Sequence, residues 1–152
     1  MNSPADNIRA ALKTAGFKSR QVTVKMPHYG SVTVTIRDAS VRLDAVKAVA
    51  MPFERISRCE ASGEILSGGN TFVRVEYLDA IVKPLASVIE KLLAESAGHV
   101  VSVGPLRMSA DACHWDEKVW KHDGNAGHFY CTGFSHGAYR LAVELLNLGA
   151  TL

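Results

Sequence analysis

No stretch of the chain approaches the roughly 20 consecutive apolar residues that a membrane-spanning helix needs. The opening MNSPADNIRAALK has no basic segment leading into an apolar block, so no secretory leader is expected and the cytoplasm is the expected location. Cysteine is scarce: Cys59, Cys113 and Cys131 are an odd set, which speaks against a disulfide framework and for reduced thiols. Also missing are G-x-S-x-G, H-E-x-x-H and Walker-type phosphate loops, along with any C-x-x-C knuckle or H-x-x-x-H pair. The common hydrolase, metalloprotease and nucleotide-binding signatures are therefore absent, and no cofactor is expected. A large acidic excess is lacking too, which excludes imitation of DNA by a dense negative surface.

The 152 residues that are present carry a formal net charge of only +2, but unevenly. Residues 1–58 hold ten Lys and Arg against four Asp and Glu; residues 59–152 hold seven against eleven. A polarised surface follows, and a basic face attracts nucleic acid or acidic protein. The cations that could form it are Lys18, Arg20, Lys25, Arg37, Arg55 and Arg58; scattered solvating charge is the plainer account of the same residues. Aromatics gather late, with Trp115, Trp120, Phe129, Tyr130, Phe134 and Tyr139 in the last quarter, and Asp116, Glu117 and Asp123 lie among them. An acidic, aromatic tail centred on Trp115, Asp116, Glu117 and Trp120 suits a protein interface, or simply a second small core, better than a base-stacking surface, which needs abundant cations.

Local signals order the elements. Ser3-Pro4-Ala5-Asp6 opens a helix by side-chain capping, and Gly16-Phe17 closes it. Val22, Val24 and Met26 alternate with polar residues up to Pro27, His28-Tyr29-Gly30 turns the chain, and Val32, Val34 and Ile36 alternate back: a hairpin. Ser40 is placed to cap a second helix that Pro52 ends or kinks near Ala50. A second hairpin is expected over Arg55–Tyr77, turning at Ser67-Gly68-Gly69-Asn70. Asp79 begins a third helix with Pro84 in or near its first turn. His99–Val103 and His128–Thr132 read as strands, and residues 104–127 as a long loop or a short helix around Asp116–Lys121. A last helix runs from the Ser135 cap to the Gly149 stop. The order αββαββα, with a looser βα extension, predicts an α+β fold: a mainly antiparallel sheet with helices on one face. The expected division is 1–97 for the core and 98–152 for an extension packed on it.

Two constellations merit a chemical reading. His99, Cys113, His114, His122, His128, Cys131 and His136 have the composition of a zinc site without its spacing, so no metal is expected. Cys131 and His136 could meet at a strand-to-helix turn as a thiol and its base, which keeps a small enzyme in view.

The segments IRAALKTAGFKSRQVTVKMPHYGSVTVTIRDASV and FERISRCEASGEILSGGNTFVRVEY, within residues 7–78, resemble a small α+β domain of phage and conjugative-plasmid proteins. It is similar to the modules described as large-polyvalent-protein-associated domains. That family brings no catalytic residues to carry over. The resemblance implies an anti-defence role of the anti-CRISPR or antirestriction kind. It would be exerted by stoichiometric binding to a host RNA-guided complex or nuclease, with contact to nucleic acid as a further expectation. The alternatives are a nucleic-acid-binding accessory factor and an enzyme modifying a defence component.

Overall fold

A computed structural model describes residues 3–96, 100–103, 106–110, 116–121, 130–132 and 134–149. The fold is α+β, in two compact units, Met1–Leu78 and Asp79–Leu152. The division falls ahead of the third helix, whereas the sequence placed it after residue 97.

In the first unit, α1 (Pro4–Thr14) starts on a reciprocal capping box. The Asp6 N–H donates to Ser3 Oγ at 3.2 Å, and the Ser3 N–H donates to Asp6 Oδ2 at 3.3 Å. It ends as the sequence indicated: Gly16 is left-handed at φ 92°, and the Phe17 N–H folds back to the Leu12 carbonyl at 3.0 Å. Strands β1 (Val22–His28) and β2 (Ser31–Ile36) form the expected antiparallel hairpin. Met26 departs from the expectation. The register shifts between Lys25 and His28, an interval that holds Pro27 with no N–H to donate, and Met26 within it is 41% exposed.

Helix α2 (Leu43–Ala50) runs into a 3₁₀ turn at Met51–Phe53, where Pro52 removes the α-helical hydrogen bond. Ser40 does not cap it. Its hydroxyl and N–H both donate to Asp38 Oδ1, at 2.7 and 3.0 Å, so Asp38 organises the turn ahead of the helix.

The second expected hairpin is replaced by a crossover. Strand β3 (Phe72–Tyr77) pairs in parallel with β2, from Ser31↔Phe72 to Ile36↔Tyr77, giving the order β1-β2-β3. The chain before it makes only isolated bridges, Arg55↔Thr71 and Arg58↔Ile65. Burial decides this. Alongside β2, the strand β3 places Val73 and Tyr77 in the core with Val32, Val34, Ile36 and Val46, whereas residues 57–69 are almost all exposed and offer no comparable apolar face. Helices α1 and α2 cover that apolar side of the three-stranded sheet together with Ile8, Leu12 and Ala50.

In the second unit, α3 (Asp79–Ser96) contains Pro84 beyond its first turn and buries Val82, Ala86 and Ile89. Helix α4 (Phe134–Leu148) packs on it with Ala138, Leu141, Ala142 and Leu145, and stops at left-handed Gly149. Strands β4 (Val100–Val103), β5 (Leu106–Ala110), β6 (Asp116–Lys121) and β7 (Tyr130–Thr132) form an antiparallel meander. Part of the expected loop is therefore sheet, and Asp116–Lys121 is a strand rather than a helix. Among the described residues no helix is long and apolar enough to cross a membrane.

Candidate functional site

The turn end of the three-stranded sheet is built by hydrogen bonds that draw the β1–β2 turn and the 54–71 segment together. Gly30, left-handed at φ 77°, accepts from the Phe72 N–H through its carbonyl at 2.7 Å. A side chain there would meet the Asn70 carbonyl at 2.6 Å, so only glycine permits the approach. Asn70 braces the segment in turn: its Nδ2 donates to the Leu66 carbonyl at 2.6 Å, and its Oδ1 accepts from the Ser57 N–H at 2.8 Å. Arg55 and Thr71 exchange backbone bonds of 2.9 and 2.7 Å. Glu54 Oε2 accepts from the Val73 N–H at 3.0 Å on the outer side of β3.

This framework presents apolar side chains, two arginines and the carboxylates of Glu60 and Glu64 to solvent. Tyr29 is 94% exposed, Ile65 48%, Leu66 47% and Phe72 41%, with the exposed Arg55 and Arg58 beside them. Phe72 is on this side because it shares the parity of Arg74 and Glu76, the face turned away from the helices. Arg74 Nε and Glu76 Oε2 pair at 2.7 Å on that face, and Arg58 Nη1 donates to the Gly63 carbonyl at 3.2 Å.

Cys59 lies in the same segment, where its carbonyl accepts from the Gly63 N–H at 2.8 Å. The Ser62 hydroxyl, followed by the N–H groups of Ser62 and Ala61, holds its thiol below the ordinary range.

The six expected cations do not form one patch. Lys18, Arg20 and Arg37 lie by the Val22↔Ile36 end of the hairpin, and Arg55 and Arg58 at the turn end. Lys25 sits between them, in the row with Thr33 and Arg74, about 13 Å along the strands from Arg37 at the usual rise. Near Arg37, Asp38 accepts from Ser40 and from Gln21 Nε2, the latter at 3.0 Å, and its carboxyl is lowered to about 2. The Ser40 hydroxyl is the chief cause, then the Gln21 amide and the Ser40 N–H, with the Arg20 charge a lesser one.

Of the expected tail, Trp115 lies outside the described residues, and Asp116, Glu117 and Trp120 fall on β6, with Glu117 opposite Cys131 and Trp120 opposite Arg107 in register. His99, Cys113, His114, His122 and His128 also lie outside the described residues, while Cys131 is on β7 and His136 on α4. Among the described residues, no three His, Cys, Asp or Glu side chains gather as a metal site.

Arg55 and Arg58 are expected from the sequence as cations; Tyr29, Leu66 and Phe72 are not. Tyr29 and Leu66 adjoin turn residues, where local chemistry explains the sequence without function. Phe72 did carry a signal, as an aromatic on the polar parity of an otherwise alternating strand. No family model, no curated protein and no solved structure matches this chain.

Proposed function

We propose that this chain is a non-catalytic anti-defence protein of a mobile element, working in the host cytoplasm. In this reading it is an inhibitor of the anti-CRISPR kind that binds an RNA-guided surveillance complex stoichiometrically and blocks target DNA or nuclease recruitment. The observation that carries the binding part is the turn end of the first sheet. There Tyr29, Leu66 and Phe72 stand exposed on a hydrogen-bonded frame beside Arg55 and Arg58. Aromatic residues and arginine are the types enriched at protein interfaces and among their dominant contacts. The anti-defence part rests on the resemblance of residues 7–78.

The test is retention. The full chain, immobilised, is challenged with purified surveillance complexes carrying guide RNA, alongside R55E/R58E. Retention of a complex by the wild type and its loss in the variant are expected. Failure to retain any such complex would overturn the proposal. So would a gel shift of free DNA, falling steeply with salt, in the absence of retention; that result would move the chain to the nucleic-acid-binding class.

A further inference from the structure

A second surface of the first unit has the chemistry of a receptor for one strand of another protein. A groove of about 750 Å³ runs between the C-terminal half of α1 and the outer edge of β1. Leu12, Phe17, Val22 and Val24 contribute its apolar lining, and Lys13 and Lys18 rim it with exposed ammonium groups. Arg9 also lines it, with Nη1 held by Asp6 at 2.6 Å and Nη2 donating to the Val24 carbonyl at 2.8 Å. None of the lining residues is acidic.

The strand edge facing the groove offers a donor and an acceptor. The Arg37 N–H donates to the Gln21 carbonyl at 2.7 Å, so the bonded pairs of the hairpin are Gln21–Arg37, Thr23–Thr35 and Lys25–Thr33. Val22 and Val24 consequently point their backbone groups away from β2. On that side the Val22 N–H reaches the Lys18 carbonyl at 3.1 Å, and Arg9 occupies the Val24 carbonyl. Among the described residues nothing bonds the Val22 C=O or the Val24 N–H, and both lie on the groove's side of the strand.

We infer that this groove takes an extended acidic segment of a partner protein by short strand addition at Val22–Val24. One extended residue, placed opposite Thr23, satisfies both free edge groups. Alternate apolar side chains meet the lining, and carboxylates meet Lys13 and Lys18. A phosphodiester backbone matches the cations but carries no N–H at strand spacing to meet the Val22 carbonyl while apolar groups meet the lining. The inference rests on the reading that the chain acts by binding protein, but on a different surface from the Tyr29 end.

The test uses the full chain and a capped, fluorescein-labelled peptide of alternating Glu and Val. The controls are the Lys-Val counterpart and a thymidine oligonucleotide. The acidic peptide is expected to bind, to shift the Val24 amide resonance and slow its hydrogen exchange, and to bind at least about tenfold more weakly to K13E/K18E. Absence of binding at about 1 mM, binding that leaves the Val24 amide unchanged, or an oligonucleotide that competes at the same amides would each overturn it. The two proposals fail separately. Peptide binding without retention of a surveillance complex removes only the proposed function, and retention without peptide binding removes only the groove.

Discussion

The phenol of Tyr77, at the end of β3, caps the start of α2: its oxygen accepts from the Leu43 N–H at 3.1 Å and donates to the Val41 carbonyl at 2.8 Å. Both bonds are buried, and Arg42, at the N-cap position, supplies no side-chain bond. A side chain distant in sequence thus satisfies helix-terminal groups that a local serine was expected to satisfy. Tyr77→Phe keeps the ring in the core but strands a buried donor and a buried acceptor. It is expected to cost about 1–3 kcal/mol, read by urea unfolding as a lower midpoint at unchanged slope. Ser40→Ala, which touches no helix N–H, is expected to cost less.

Gly30 and Gly63 share a left-handed backbone, at φ 77° and 71°, but differ in surroundings. A Cβ at Gly63 meets nothing within 4 Å; one at Gly30 lies 2.6 Å from the Asn70 carbonyl. Gly63→Ala should therefore cost only the conformational strain of about 1–2 kcal/mol. Gly30→Ala adds a backbone collision at the junction that carries the Phe72 bond, so its unfolding midpoint should fall further. Equal midpoints would mean that the close approach contributes nothing.

Signals that act over a few residues were legible: the Ser3 cap, the Gly16-Phe17 stop, the β1–β2 alternation, the break at Pro52 and the Gly149 stop. Pairing choices were not. The alternation of Val73, Val75 and Tyr77 fits an antiparallel partner before Gly68 as well as a parallel partner in β2, and burial of the whole unit chooses between them. The same limit explains the strands β5 and β6, whose residues lack a clean local period. At the candidate site Arg55 and Arg58 were legible as charge. Their separation from Lys18, Arg20 and Arg37 follows from strand register, which composition does not contain.

Asp38 links stability to acid. Its carboxyl titrates at about 2 in the folded chain, below the value near 3.9 of an unfolded aspartate. The folded form thus binds its proton less readily, and the contribution is fully present above about pH 4. It disappears as pH falls through about 2. A carboxyl NMR titration should place Asp38 at that midpoint, and Asp38→Asn should flatten this part of the stability profile. A titration at the ordinary aspartate value would remove the Ser40 and Gln21 bonds as its cause.

Cys59 is expected to alkylate with iodoacetamide at a lower pH than an ordinary thiol, because donors at Ser62 and Ala61 favour its thiolate. Peptide mass spectrometry follows its modification separately from Cys113 and Cys131. Ser62→Ala removes the leading donor and should shift the profile to higher pH. An unchanged profile would show that the hydroxyl does not act on the sulfur.

Tyr29 separates folding from binding. At 94% exposure its ring contributes little packing to the free chain, and the turn conformation belongs to Gly30, so Tyr29→Ala should leave stability within about 0.5 kcal/mol. An exposed aromatic anchor on a rigid turn is, by contrast, a residue whose truncation at an interface costs about 2 kcal/mol or more, roughly thirtyfold in affinity. The expected result is an intact unfolding midpoint with weakened retention of the surveillance complex, and an intermediate effect for Phe72→Ala, whose ring is partly shielded at 41% exposure. Retention unchanged in Tyr29→Ala, with folding equally unchanged, would place the docking surface away from the turn end, whatever the complex.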